Sequence, residues 1–437
     1  MESQPVVLEM AGNCDGTTKS NDAFVKDITT EGKQSDTFTD EGTSELVELP
    51  PLTYIDFIPE CKESQTAGKE PSYADFGSVV DQANRWLLSA LKFEVYKCET
   101  LSVKLSADYK PQTGQALLHV ASNGKNSYLR ILRLWLIPRT DSNSPAQQLG
   151  YITVLPDHAS GSRTQVLNLF PGTTTTRNVV EVNLSSFDNV RTTVDRLNSQ
   201  LQLKPLPGRV LTVETQTFKC LESGTCDKLN PEASLWSEAA TTARLYLTGL
   251  RIFYVTGLPA CEAIGFYDEV PEMFHSKDGL GLKVKFATVD QTLSKASHWL
   301  QRQQDVRVVS IQMIDVKLER TQVSNCTKVQ CDPLQSGYTE TPGLTEMRYT
   351  KILRIAYIKG KTLDNSPLYS GINLTSRLFI PARIKRRNFE TFSQTMHQVA
   401  SWLRTSGTPL LMCETTRYYC SRPDFVINGF QSYLMCI

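Results

Sequence analysis

The 437-residue sequence has no excess of charge of either sign, since 46 Lys and Arg balance 46 Asp and Glu. That balance argues against a protein whose main task is gripping phosphate backbones, so no nucleic-acid partner is expected. Long hydrophobic runs are missing as well. The longest, such as Leu129–Pro138, are strand-length and interrupted by Arg, well short of the ~20 residues that a membrane helix needs. No membrane span is expected. The opening MESQPVVLEMAGNCDG has neither the basic start nor the continuous apolar core of a secretory signal, which points to a soluble, cytoplasmic protein.

Catalytic and metal signatures are equally sparse. There are five His, none in an H-E-x-x-H arrangement or at ligand spacing from an acid. There is no G-x-S-x-G elbow and no G-x-x-x-x-G-K-[ST] loop, and Gly279–Lys283 (G-L-G-L-K) reads as a turn. Eleven Cys are present, but the pairs Cys220/Cys226, Cys326/Cys331 and Cys413/Cys420 lack zinc spacing. They read as free thiols, and neither metal nor cofactor is expected. The sequons at Asn183, Asn325 and Asn373 keep a secreted, disulfide-bearing binding protein as an alternative.

What the sequence does contain is a repeat. Ala83-Asn84-Arg85-Trp86-Leu87 is followed by Glu99-Thr100, and Ala296-Ser297-His298-Trp299-Leu300 by Gln312-Met313. Trp402-Leu403 is followed by Glu414-Thr415, and a more diverged copy has Gln200-Leu201 followed by Glu214-Thr215. The spacings are 13, 13, 12 and 14 residues, taken in that order. Counting back from the Trp position, apolar residues recur on one helical face: Phe76, Val80, Ala83; Val190, Val194, Leu197; Val289, Leu293, Ala296; Phe392, Met396, Val399. Ahead of each set stands a short polar residue suited to an N-cap, namely Asp75, Asn189, Thr288 or Thr391. In the last two, Gln291 and Gln394 complete a capping box. Trp86, Trp299 and Trp402 are each expected to lie at least largely buried under their own sheet.

A strand follows each helix, over 94–104, 210–219, 307–317 and 410–419. Three copies continue with a Leu-Arg-(Ile/Leu) strand centred on Arg133, Arg251 and Arg354. Candidate strands before the helices are 52–58, 179–184, 281–286 and 378–384. The fold class expected is α+β: four diverged β-α-β-β units, paired into two similar domains (49–265 and 266–437) with antiparallel sheets covered by helices on one face. Residues 1–48, with 11 Asp/Glu against 3 Lys, read as a disordered acidic, Ser/Thr-rich tail.

Strand alternation places Glu99, Glu214, Gln312 and Glu414 on the face away from the helix, with Arg133, Arg251 and Arg354 opposite the first three. That face also carries Leu101, Trp135, Phe218, Phe253 and Ile314, too apolar for water, so a facing sheet is expected to bury it. The candidate binding residues are therefore Glu99, Arg133, Glu214, Arg251, Gln312 and Arg354, together with the basic run Arg383, Lys385, Arg386 and Arg387. No catalytic residue is assigned. The favoured function is a non-catalytic binding or scaffold protein that uses the surface between paired sheets, with a protein or small-ligand partner and homo-oligomerisation open. The alternative is an enzyme with a Glu acid/base and an Arg anion clamp.

Overall fold

The computed structural model describes residues 49–437 except 67–68, 112, 114–116, 120–124, 142–143, 158–164, 168–178, 182–186, 221–228, 240–243, 279–280, 324–325, 341–347, 360–372, 386–387, 408 and 422–427. The acidic tail 1–48 lies outside the described residues.

Four copies of one unit follow each other. The first comprises β1 (Thr53–Phe57), α1 (Phe76–Leu87), β2 (Phe93–Lys104), β3 (Leu117–His119) and β4 (Lys125–Pro138). The second has β5 (Leu149–Val154), α2 (Val190–Leu203), β6 (Leu206–Lys219), β7 (Leu235–Ala239) and β8 (Arg244–Ala260). The third has β9 (Ala263–Glu269), α3 (Val289–Gln301), β10 (Val306–Val323), β11 (Gly337–Glu340) and β12 (Tyr349–Lys359). The fourth has β13 (Arg377–Phe379), α4 (Phe392–Ser406), β14 (Cys413–Ser421) and β15 (Asn428–Cys436). Between edge strand and helix each unit inserts a small two-stranded ladder, for example Met273–Asp278 with Gly281–Phe286.

The helices begin where the short polar residues stand. Asp75, Asn189, Thr288 and Thr391 each accept a hydrogen bond from the amide three residues on. Gln291 and Gln394 close both capping boxes. These bonds satisfy amides that a helix start otherwise leaves orphaned.

The long strand after each helix pairs antiparallel with the return strand, and the return strand pairs on its other side with the unit's edge strand. The result is mostly β: four small antiparallel sheets arranged like a four-bladed propeller. This corrects the expected α+β class of two domains with helix-covered sheets. The physical reason lies in the core clusters. Phe76, Val79, Val80 and Ala83 of α1 pack on their own sheet, but also meet Phe253, Tyr151 and Leu211 of the second blade. Likewise α2 meets Ile264, Val309 and Ala356 of the third blade. Helix α3 meets Met412, Met435 and Ile437 of the fourth, and α4 meets Leu52, Tyr54 and Trp135 of the first. Each helix is a wedge between its own blade and the next, not a cover over a sheet. A helix of 12 to 15 residues has one apolar stripe, and here two sheets share it.

One further reading changes. The edge strands of the second and third blades are β5 and β9, while Val179–Glu181 and Gly281–Phe286 belong to the inserted ladders. Trp86, Trp299 and Trp402 are partly buried, each packed against a core cluster.

Blades also exchange strands. β7 leaves the second blade and pairs with β4 of the first. β11 leaves the third and pairs with β8 of the second. β3 leaves the first and pairs with β15 of the fourth, fastening the two ends of the ring.

Candidate functional site

Four repeated residues meet where the inner strands β2, β6, β10 and β14 come together. Glu214 accepts from the Thr100 amide at 2.8 Å, and Gln312 from the Thr215 amide at 2.7 Å. Glu414 accepts from the Met313 amide at 3.0 Å, and Glu99 from the Thr415 amide at 2.7 Å. The donor in every case is the residue that follows the neighbouring blade's own Glu or Gln. The four bonds form a closed circuit, blade one to four, four to three, three to two and two to one. Glu99 additionally accepts from Trp135 Nε1 at 3.0 Å and from Thr415 Oγ1 at 3.2 Å.

The arginines stand opposite the ring residues as alternation implied: Glu99 faces Arg133, Glu214 faces Arg251 and Gln312 faces Arg354 in the strand register. Their side chains bond elsewhere. Arg133 forms a two-pronged pair with Asp56 of β1, both contacts 2.7 Å. Arg354 does the same with Asp268 of β9, at 2.6 and 2.8 Å. Arg251 has Thr153 at the corresponding edge position (3.3 Å) and donates to the Pro231 carbonyl at 3.0 Å. Sequence reasoning missed Asp56 and Asp268. Each sits in an edge strand directly across from its arginine, and for Asp268 that strand was not recognised. Each arginine also reaches the preceding blade around the ring, donating to Thr415, Thr100 and Thr215 Oγ1 respectively, at 3.0, 3.4 and 3.1 Å. The guanidinium planes of Arg133 and Arg251 lie over Phe392 and Phe76, 3.8 and 3.7 Å from the ring centres, which adds cation–π attraction in a dry setting.

Burial governs the electrostatics. It raises the carboxyl of Glu214 to about 7, and raises Glu414 to about 8 with the Glu99 carboxylate adding repulsion. Glu99 is raised as well by burial, against the opposing pull of Arg133 and its hydrogen bonds. One layer along, Lys97 is buried with Nζ 2.6 Å from the Val309 carbonyl, and burial lowers it to about 7.

Leu101 and Ile314 are half-buried, while Trp135, Phe218 and Phe253 are fully enclosed. The expected inter-sheet surface is thus packed shut at its centre. The basic run stands apart from the ring: Arg383 and Lys385 lie in the small ladder of the fourth blade, and Arg386 and Arg387 fall outside the described residues. Among the described residues no group of His, Cys, Asp and Glu is placed to hold a metal, and no helix is long and apolar enough to cross a membrane.

The architecture and the ring together define a cyclic, four-bladed, propeller-like chain locked at its axis by side-chain-to-backbone bonds. The chain matches no family model, no curated protein and no solved structure.

Proposed function

We propose that the protein is a non-catalytic binding or scaffold protein, with a cytoplasmic setting and its outer blade surfaces as the working parts. The observation that supports this reading is where the repeated acids and arginines spend their bonds. Glu99, Glu214 and Glu414 are buried and each is committed to an amide of the neighbouring blade. Arg133, Arg251 and Arg354 are buried and committed to Asp56, Pro231 and Asp268. A general acid or an anion clamp must reach the reacting group, so the enzyme alternative requires a blade seam to open. A scaffold needs the opposite, a rigid ring that holds its outer strands and loops in fixed relation.

The test combines cross-linking mass spectrometry of the full chain in its own cells with a panel of hydrolase and transferase substrates. The expected result is stable protein partners cross-linked to outer blade residues, with no turnover. Turnover that disappears in Glu214→Gln, with the fold intact by circular dichroism, would overturn the reading.

A further inference from the structure

The fourth blade departs from the other three at one cross-strand pair. The residue before each ring Glu or Gln faces the return strand. In three blades that pair holds at most one sulfur: Cys98 faces Leu134, Val213 faces Ile252 and Ile311 faces Ile355. In the fourth, Cys413 faces Cys436. Both are buried free thiols, and Cys436 Sγ donates to Cys413 Sγ at 3.6 Å. They are enclosed with Phe392, Met396 and Val399 of α4 and with Trp135 of the first blade. Packing alone asks for a small apolar group at each place, and the other blades meet that need without two facing sulfurs.

The strand register suits a bond between them. Met412 and Ile437, one pair along, exchange both backbone bonds, at 3.0 and 2.9 Å. Antiparallel pairs alternate, so Cys413 and Cys436 form a pair without mutual backbone bonds, the kind whose Cα atoms stand about 4.5 Å apart. The equivalent Cys98 agrees, since its amide points away from its sheet partner, to Thr212 Oγ1 at 3.1 Å. A disulfide spans Cα separations of roughly 4.4–6.8 Å and has an S–S bond of about 2.05 Å. Side-chain rotation therefore closes the gap between the two sulfurs while the backbone stays in place.

We infer that Cys413 and Cys436 are an oxidisable pair, which hydrogen peroxide converts to a cross-strand disulfide that fastens β15 to β14. In the first step one sulfur attacks a peroxide oxygen. An S–O bond forms, the O–O bond breaks, and hydroxide leaves with the thiol proton as water. In the second step the other sulfur attacks the sulfenic acid. The S–S bond forms, the S–O bond breaks, and the hydroxyl leaves with the second thiol proton as another water. Both sulfurs are oxidised and both peroxide oxygens are reduced. Burial, with Cys436 and Glu99 close by, holds the Cys413 thiol well above its ordinary value. Little thiolate is present in the closed blade, so the reaction follows opening of the layer between α4 and its sheet.

The test takes the full chain, reduced and desalted, and exposes it to millimolar hydrogen peroxide. Remaining thiols are alkylated in denaturant, and peptides are mapped by mass spectrometry without reduction. The expected product is a peptide pair joined through Cys413 and Cys436, which dithiothreitol separates again. The denaturation midpoint should rise on oxidation and fall back on reduction, because the link closes a loop in the unfolded chain. Cys436→Ala, which keeps a small apolar group, should show no such rise. Recovery of Cys413 and Cys436 as alkylated thiols, after the exposed Cys61 and Cys261 have been oxidised, overturns the inference. So does a link from either one to a different cysteine, or a link between the two that lowers the midpoint. The peptide map is read on the wild-type chain, so it decides the matter even where Cys436→Ala fails to fold.

Discussion

The seam between the fourth and third blades is built differently from the other three. At those three an arginine crosses to a threonine hydroxyl, an N–H crosses to a carboxylate or amide oxygen, and a donated strand runs across the gap. Of these three links, the fourth seam keeps among the described residues the Glu414 bond to the Met313 amide. Met435 stands opposite Glu414 where the other blades carry arginine, Met313 replaces threonine, and Met412 and Met435 join Leu293, Ala296 and Leu300 in an apolar cluster. The losses go together for a physical reason. A buried arginine is tolerated only with its carboxylate, hydroxyl and carbonyl partners in place. Once the donor loop and the threonine are gone, methionine fills the same space without a charge to satisfy. One ring thus contains two solutions to the same interface, one polar and directional, the other apolar and adaptable.

The largest effect is expected from breaking the polar solution halfway. Arg133→Met leaves Asp56, only 1% exposed, as an unpaired buried carboxylate, and should cost about 3–5 kcal/mol in chemical denaturation. Adding Asp56→Leu converts the pair to the Leu378/Met435 arrangement that the fourth blade already uses. The double variant should recover most of that loss, to within about 1–2 kcal/mol of wild type. A double variant as unstable as the single one would show that the two seams are not interchangeable.

A middle-sized effect concerns pH. Glu214 and Glu414 titrate in the folded chain at about 7 and about 8, above their ordinary value of 4.5. The folded chain therefore holds more protons than the unfolded one between those limits. The stability contributed by these groups is fully present below pH 4.5 and is lost as the pH rises through about 8. Glu414→Gln reproduces at the fourth seam the neutral acceptor that Gln312 already supplies at the third blade. At pH 9 it should be more stable than wild type by roughly 2–4 kcal/mol, with the difference vanishing near pH 5. Denaturation midpoints measured across this range test it, and parallel curves for the two proteins would sink the idea.

The smallest effect isolates one hydroxyl. Thr215→Val removes the acceptor 3.1 Å from Arg354 Nη1 while preserving shape, and should cost about 1–2 kcal/mol. Met313→Thr at the apolar seam faces no arginine, so it gains no such bond and should not stabilise. Equal responses of the two sites would erase the distinction between seams.

Much of this molecule is legible in its sequence at short range. The four N-caps, both capping boxes and the apolar helix faces follow from residues within three turns of each other, because helix periodicity is a local property. The register of Glu99 with Arg133, of Glu214 with Arg251 and of Gln312 with Arg354 also follows, since alternation along a strand fixes which side chains share a face. The repeat itself announced four equivalent parts.

What the repeat left open was how four parts close, and only the tertiary structure decided it. Glu99 and Thr415 are 316 residues apart, and no local pattern states that a carboxylate answers an amide in a different unit. The arginines took Asp56 and Asp268 in place of Glu99 and Gln312 because a two-pronged pair with an aspartate across the sheet satisfies a guanidinium better than a ring acid or carboxamide whose acceptor oxygen the neighbouring amide already claims. The donated strands β3, β7 and β11 are three to five residues long, too short for periodicity to reveal, and each pairs with a blade other than its own. The apolar stripe on each helix is compatible with covering one sheet or wedging between two. The ring wedges it because closing on itself lets every blade bury both faces, a choice that depends on all four units at once and is written in none of them alone.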